Sequence, residues 1–221
     1  MARMKFYCDA ERCIECNACV TACKNEHEIP VGVNRRRVVT IKDGEPGERS
    51  LSVACMHCSD APCAAVCPVD CFEITDEGIV LHNKDTCIGC GYCFYACPFG
   101  APQFPTDGAF SSRGKMDKCT FCAGGPEEED MSPAEYTKYG SNRIAEGKLP
   151  LCAEMCSTKA LLAGDANMVA DVYRDRVINR GAAAFSQTRL QQKANFQPNP
   201  SLSGRATGAN GVQQWKPDAS N

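Results

Sequence analysis

Aromatic side chains are scarce in this chain: they make up 7% of 221 residues, with a single Trp. A large aliphatic–aromatic core is therefore not the expected source of its stability. No apolar run approaches the roughly 18 residues that a bilayer-spanning helix requires, so membrane association would have to come through a partner. The opening Met-Ala-Arg-Met-Lys-Phe-Tyr-Cys has no apolar h-region, and no secretory signal is expected in it. Histidines number three, His27, His57 and His82, and they form no spaced metal group. There is no Ser–His–Asp set, no phosphate-cradling glycine loop and no G-x-G-x-x-G after a strand. Bond-making chemistry is thus left to another polypeptide.

What the sequence has in excess is cysteine, 18 in all. Such density means either a disulfide scaffold or a set of metal centres, and spacing decides between them. Cys87, Cys90, Cys93 and Cys97-Pro98 read C-x2-C-x2-C-x3-C-P, the bacterial-type iron–sulfur spacing. Cys13, Cys16, Cys19 and Cys23 repeat it, and Cys55, Cys58, Cys63 and Cys67-Pro68 vary it as C-x2-C-x4-C-x3-C-P. Cys119, Cys122, Cys152 and Cys156 make a fourth run with a 29-residue gap. In two-cluster ferredoxins the fourth ligand of each run serves the other cluster. Cys55, Cys58 and Cys63 are then joined by Cys97, and Cys87, Cys90 and Cys93 by Cys67. By symmetry Cys13, Cys16 and Cys19 take Cys156, while Cys119, Cys122 and Cys152 take Cys23. Four [4Fe–4S] clusters are expected. Zinc is the competing metal, but this is not zinc-ribbon spacing. Disulfides between such near neighbours would staple only tiny loops.

Around these runs the pattern predicts an α+β fold. Met4–Cys8 suits a first strand, and Ala18, Val20 and Ala22 suit a turn into a short helix. Val38–Ile41 and Leu51–Ala54 flank Lys42-Asp43-Gly44-Glu45-Pro46-Gly47 as one hairpin; Phe72–Ile74 and Ile79–Leu81 flank Asp76-Glu77-Gly78 as a second. Run, hairpin, run is the layout of a two-cluster ferredoxin module. The expected architecture is two interleaved two-[4Fe–4S] ferredoxin-like modules with hairpin insertions and an extended C-terminal tail. Residues 1–54 and 103–164 form the outer module and 55–102 the inner one. A short helix follows Ser132-Pro133, after the acidic Glu127-Glu128-Glu129-Asp130. An amphipathic helix spans 165–180, capped near Asp165, stopped by Gly181, with Met168, Val169, Val172, Val177 and Ile178 as its apolar positions. Residues 181–221 are a polar tail, disordered or ordered on another subunit, in which Phe185, Phe196 and Trp215 are spaced like anchors.

The formal charge of −3 counts thiols as neutral; four clusters at about −2 each would take the loaded protein to about −11. Lys24, Lys84, Lys115 and Lys118 flank cysteines and would raise cluster potentials. Arg35-Arg36-Arg37 reads as a solvated strand end or a docking patch. His57, inside a run, reads as a hydrogen-bond donor to a cluster or a partner contact. Cys8 and Cys71, left over, read as small buried hydrophobes beside clusters.

The four runs in order resemble the iron–sulfur subunits of molybdenum or tungsten bis-pyranopterin oxidoreductases, and most of all the beta subunits of bacterial formate dehydrogenases. The resemblance covers residues 3 to about 180 and rests on Asp9-Ala10-Glu11-Arg12-Cys13-Ile14-Glu15-Cys16, Ala54-Cys55-Met56-His57-Cys58-Ser59-Asp60-Ala61-Pro62-Cys63, the stretch from Gly114 to Pro126, and Leu149-Pro150-Leu151-Cys152-Ala153-Glu154-Met155-Cys156. It implies a non-catalytic electron-transfer subunit of a formate dehydrogenase complex. A large Mo/W-pterin catalytic subunit would feed it, and a cytochrome b subunit and quinone, or another acceptor, would drain it. It also implies a periplasmic or membrane-associated location by export with a signal-bearing partner, the alternative being cytoplasmic. Relatives often have Cys-Pro where this chain has Cys156-Ser157, and some lack the second cysteine of the third run and hold three irons; Cys90 implies four here. The same module could serve another Mo-pterin oxidoreductase or a hydrogenase, or the chain could be a free polyferredoxin.

Overall fold

The computed structural model describes residues 3–105, 114–126 and 133–185. Expectations that fall elsewhere, the acidic 127–130 stretch and the anchors Phe196 and Trp215 among them, lie outside the described residues. Among the described residues there are three two-stranded antiparallel sheets and six helices. β1 (Met4–Cys8) pairs with β6 (Leu161–Asp165), β2 (Arg36–Ile41) with β3 (Arg49–Ala54), and β4 (Phe72–Ile74) with β5 (Val80–His82). The last two are the hairpins read from the sequence. The first was not legible, because Leu161-Leu162-Ala163-Gly164 carries no alternation and its partner lies over 150 residues away.

That long-range pairing, Met4 opposite Asp165 and Cys8 opposite Leu161, closes the fold. It is extended at both ends, where Ala166 N donates to Arg3 O and Asp9 N to Ala160 O, both at 2.8 Å. Met4 N donates to Glu77 O in the β4–β5 turn, which ties the second hairpin to the same strand. Beneath lies the largest core cluster, built on Met4, Phe121, Leu81 and Leu161 together with Cys19, Cys152 and Cys156.

Four of the helices are the cysteine runs themselves. α1 (Ala18–Glu26) carries Cys19 and Cys23; α2 (Pro62–Ala65), α3 (Tyr92–Ala96) and α5 (Leu151–Glu154) carry Cys63, Cys93 and Cys152. α1 packs on α5, and α2 on α3. The C-x3-C spacing sets the next cysteine one helical turn on. α4 (Pro133–Tyr139) is the short helix expected after Ser132-Pro133.

α6 (Ala166–Phe185) departs from expectation in two ways. Asp165 caps it as predicted, its Oδ1 accepting from Asn167 N and Met168 N at 3.0 and 3.1 Å. The helix does not stop at Gly181, however, because Ala182-Ala183-Ala184 are strong helix formers and outweigh the ~1 kcal/mol penalty of one glycine. Nor do Val177 and Ile178 face the core; they are 44% and 58% exposed. The helix lies on β1 and β6. Further along, Arg176 and Arg180 tie it to the buried Asp9, the former at 3.5 Å. Among the described residues no helix is long and apolar enough to cross a membrane.

Gly140, which ends α4 at φ +81°, is required by its surroundings: a Cβ there would sit 2.6 Å from His27 Nδ1. Gly140→Ala should lose about 1–2 kcal/mol from the left-handed backbone alone, and more from displacing His27. A lowered urea midpoint for loss of the visible cluster absorbance checks this; an unchanged midpoint would show the contact is not needed.

Candidate metal centres

The four runs share a backbone feature that spacing alone does not reveal. Two residues after the first cysteine of each run the chain is left-handed: Glu15 (φ 57°), His57 (φ 45°), Gly89 (φ 71°) and Phe121 (φ 61°). Three of these are not glycine, and each tolerates a conformation that costs an L-residue of order 1–2 kcal/mol. Such a reversal turns successive N–H groups inward and makes an anion-binding concavity of the kind iron–sulfur sites use. A second repeat follows the last cysteine of three runs: Asp70 (φ 49°), Gly100 (φ 59°) and Lys159 (φ 52°) are also left-handed. The turn brings N–H groups back onto sulfur. Cys71 N donates to Cys67 Sγ at 3.4 Å, Ala101 N to Cys97 Sγ at 3.5 Å and Leu161 N to Cys156 Sγ at 3.4 Å. The turn after Cys156 forms with Ser157 in place of proline, closed by Lys159 N to Cys156 O at 3.1 Å. In the first run α1 continues past Cys23 instead.

These turns gather cysteines that are distant in sequence. Cys23 is buried against Cys152, Cys119 and Cys122; burial and then these neighbours push its thiol far above the usual range. Cys55, Cys58, Cys63 and Cys97 line one mostly apolar cavity with Val80 and Lys118. Burial holds the Cys63 thiol up at about 11, with Lys118 opposing and Cys55 and Cys97 reinforcing. Burial raises Cys93 to about 11 beside Cys87, Cys63 and Cys90. Cys67 approaches this group through Cys71, which neighbours Cys67, Cys87 and Cys93. Cys13 and Cys156 both face Cys8, and Cys13, Cys19 and Cys156 pack in one core cluster. Cys16 and Cys90 lie at the surface. Among the described residues no three His, Cys, Asp or Glu side chains close on a single ion; the thiols of Cys55, Cys58, Cys63 and Cys97 line a cavity instead. Thiol sets, inward N–H groups and apolar walls fit an iron–sulfur cluster, which binds cysteine as thiolate and carries one electron at a time.

The leftover cysteines occupy places beside these groups. Cys71 is buried with its Sγ 3.4 Å from that of Cys67. Cys8, half-buried, accepts from Ser52 N at 3.3 Å.

The charged surroundings correct several expectations. Arg35 and Arg36 are not solvated but 3% and 2% exposed. Arg35 Nε and Nη2 each donate to Asp117 at 2.8 Å, and Lys84 meets the same carboxylate at 2.9 Å. Burial opposes the Asp117 charge, but Arg35 and then Lys84 hold its carboxyl well below the usual range. Arg37 donates to the Phe99 and Gly100 carbonyls. Lys118 is fully buried and donates to Val80 O and to Cys119 O. Lys5, unremarked in the sequence, donates to Met56 O and His57 O. Lys84 pairs with Asp117, and Lys115 donates to Asp85 O at 2.9 Å.

His57 is 1% exposed and edge-on to Phe121; its Nδ1 accepts from Val80 N at 3.1 Å, which leaves Nε2 a buried donor with no partner among the described residues. Burial and then Lys118 keep it neutral far below its ordinary pKa. The histidine that meets a cysteine is His27, with Nε2 3.4 Å from Cys122 Sγ. Burial and the Arg35 charge lower its pKa to about 4. Its partner is 95 residues away, so no local pattern could have singled it out.

Comparison with known proteins agrees with this geometry. A family model described as a 4Fe-4S dicluster domain matches residues 49–137, a span holding the second and third runs and Cys119 and Cys122. The formate dehydrogenase iron-sulfur subunit of Wolinella succinogenes is 67% identical over 84% of this chain and 92% of its own length. A subunit of the anaerobic dimethyl sulfoxide reductase of Escherichia coli is 31% identical over 88% of this chain and 90% of its own length. The thiosulfate reductase electron transfer subunit of Salmonella typhi is 34% identical over 80% and 88%. The chain is therefore a ferredoxin-type [4Fe–4S] protein and belongs to the family of iron–sulfur electron-transfer subunits that these relatives represent.

Asp117→Asn should destabilise the protein by about 3–5 kcal/mol, since it strands a buried arginine. Loss of the visible absorbance at lower urea checks this. Arg35→Met in the same protein should recover part of the loss; a midpoint unmoved by Asp117→Asn would contradict it.

Proposed function

We propose that this chain is the electron-transfer subunit of a formate dehydrogenase, and that it relays electrons from a large Mo/W-pterin catalytic subunit through four [4Fe–4S] clusters. The identity of 67% to a formate dehydrogenase iron-sulfur subunit, twice that to the reductase subunits, carries this reading. The ligand sets are Cys13, Cys16, Cys19 and Cys156; Cys23, Cys119, Cys122 and Cys152; Cys55, Cys58, Cys63 and Cys97; and Cys67, Cys87, Cys90 and Cys93. Residues 1–54 with 103–164 form the outer module and 55–102 the inner, a division supported by the packing of α1 on α5 and α2 on α3.

Neighbour relations support a single file. Cys19 adjoins Cys152, Cys119 adjoins Cys55, and Cys63 adjoins Cys93. The sets containing Cys13 and Cys87 then stand at the two ends of the row. Both ends present exposed apolar residues beside an exposed cysteine: Ile14 (64%) next to Cys16, and Ile88, Tyr92 and Tyr95 (64%, 59% and 74%) around Cys90. Exposed apolar surface at each terminus suits fixed protein partners better than a freely diffusing carrier. The second partner is a cytochrome b subunit and quinone or another acceptor, and the complex is periplasmic or membrane-associated by export with a signal-bearing partner, or else cytoplasmic.

The chain's own part is to hold the sulfur ligands rigidly, exclude water from them and offset their charge. When bound, the clusters supply one-electron carriers near enough for transfer.

Purification of the native complex tests the assignment. A large Mo- or W-containing partner and formate oxidation with an artificial dye are expected. A partner lacking both metals, or one that reduces a sulfoxide or thiosulfate and ignores formate, would overturn it.

A further inference from the structure

Arg36 begins β2 with its side chain turned inward and 2% exposed. Its guanidinium lies over the Phe6 ring, 4.3 Å from the centroid. Nη1 donates to Ser52 Oγ at 3.0 Å, and that hydroxyl stands 3.2 Å from Cys19 Sγ. Nε and Nη2 are buried and, among the described residues, make no hydrogen bond of normal geometry, the Cys152 thiol being the polar group they approach. Among the described residues no carboxylate forms an ion pair with Arg36, although Arg35 beside it is matched by Asp117. The groups around it are Cys152, Cys119, Cys23 and Cys19.

A guanidinium taken out of water with no anion beside it is strongly disfavoured, and so are donors left without a good acceptor. Neutral thiols, a hydroxyl and a phenyl face do not offset that. Anionic clusters would. Cys19 belongs to the first proposed ligand set, and Cys23, Cys119 and Cys152 to the one next to it, so the cation stands where the two sets of the outer module meet.

We propose that Arg36 is the shared counter-charge of the two outer clusters and holds their reduction potentials above those a neutral residue would allow. This rests on the ligand sets of the preceding subsection. A fixed positive charge lowers the energy of each added electron, and it does so strongly where water is excluded. Arg36 is thus a positioning charge for electron transfer, and the cluster of Cys67, Cys87, Cys90 and Cys93, in the other module, is its internal control.

Redox titration of the purified complex, with each cluster followed by its paramagnetic signal, reads the effect. Arg36→Gln should keep its iron, lower two of the four midpoint potentials and leave that of the Cys87 cluster in place; Arg36→Lys should return both toward wild type. Full iron with four unmoved potentials, or all four falling together, would overturn the proposal. If Arg36→Gln does not hold its iron, Arg36→Lys and Arg36→Met decide. A loaded Lys variant beside an unloaded Met variant upholds the counter-charge, and any other combination makes the side chain a matter of packing and overturns it. The wild-type iron count keeps the two levels apart. Fewer than four clusters there removes the ligand sets and this proposal with them, whereas a full count with unmoved potentials in Arg36→Gln removes this proposal alone.

Discussion

Anionic sulfur held away from water is the constraint on which the rest of this structure depends. A buried thiolate set must be met by N–H dipoles or by cations, or the fold does not form. The chain does both. Left-handed residues recur two positions into every run, at Glu15, His57, Gly89 and Phe121, and turn backbone donors toward the cysteines. Further turns at Asp70, Gly100 and Lys159 bring N–H groups onto the sulfurs of Cys67, Cys97 and Cys156. Cations then stand beside them: Lys118, fully buried on the wall of the Cys55 cavity, the half-buried Lys5 on the Met56 and His57 carbonyls, and the buried Arg36 between Cys19 and Cys152.

The secondary structure serves that same requirement. The sheets have two strands each and the cysteine-bearing helices are short, so little of the fold would stand on regular structure alone. The β2–β3 hairpin delivers Arg36 to the outer cysteines; the β4–β5 hairpin supplies the Val80 N–H to His57 and the Val80 carbonyl to Lys118. Pairing of β1 with β6 brings residues from near the two ends of the described region together and puts Cys8 beside Cys13 and Cys156. A carrier of electrons gains from this rigidity, because its centres must stay close and must reorganise little.

Much of this was legible in the residues. C-x2-C-x2-C-x3-C carries its own chemistry, and turn residues such as Gly44 and Gly78 mark hairpins without help from tertiary context. What was not legible depends on distant partners. Arg35-Arg36-Arg37 looks like a solvated charge run until Asp117, 82 residues from Arg35, and the outer cysteines are placed around it. A signal was present all the same: four clusters, as expected from the runs, would add about eight negative charges, and buried cations are the way to meet them. His57 drew attention through its place inside a run, but that His27 lies beside the sulfur of Cys122 depends on a partner 95 residues away. The end of α6 was misjudged because one glycine was weighed without the three alanines behind it.

Formate dehydrogenase is the reading that relatedness favours, but the central proposal is simpler: that sixteen of the 18 cysteines hold four cubane clusters. Iron and acid-labile sulfide, counted per polypeptide in the anaerobically purified protein, decide the matter. Four clusters predict about 16 of each. Half that number, or zinc in place of iron, would contradict it.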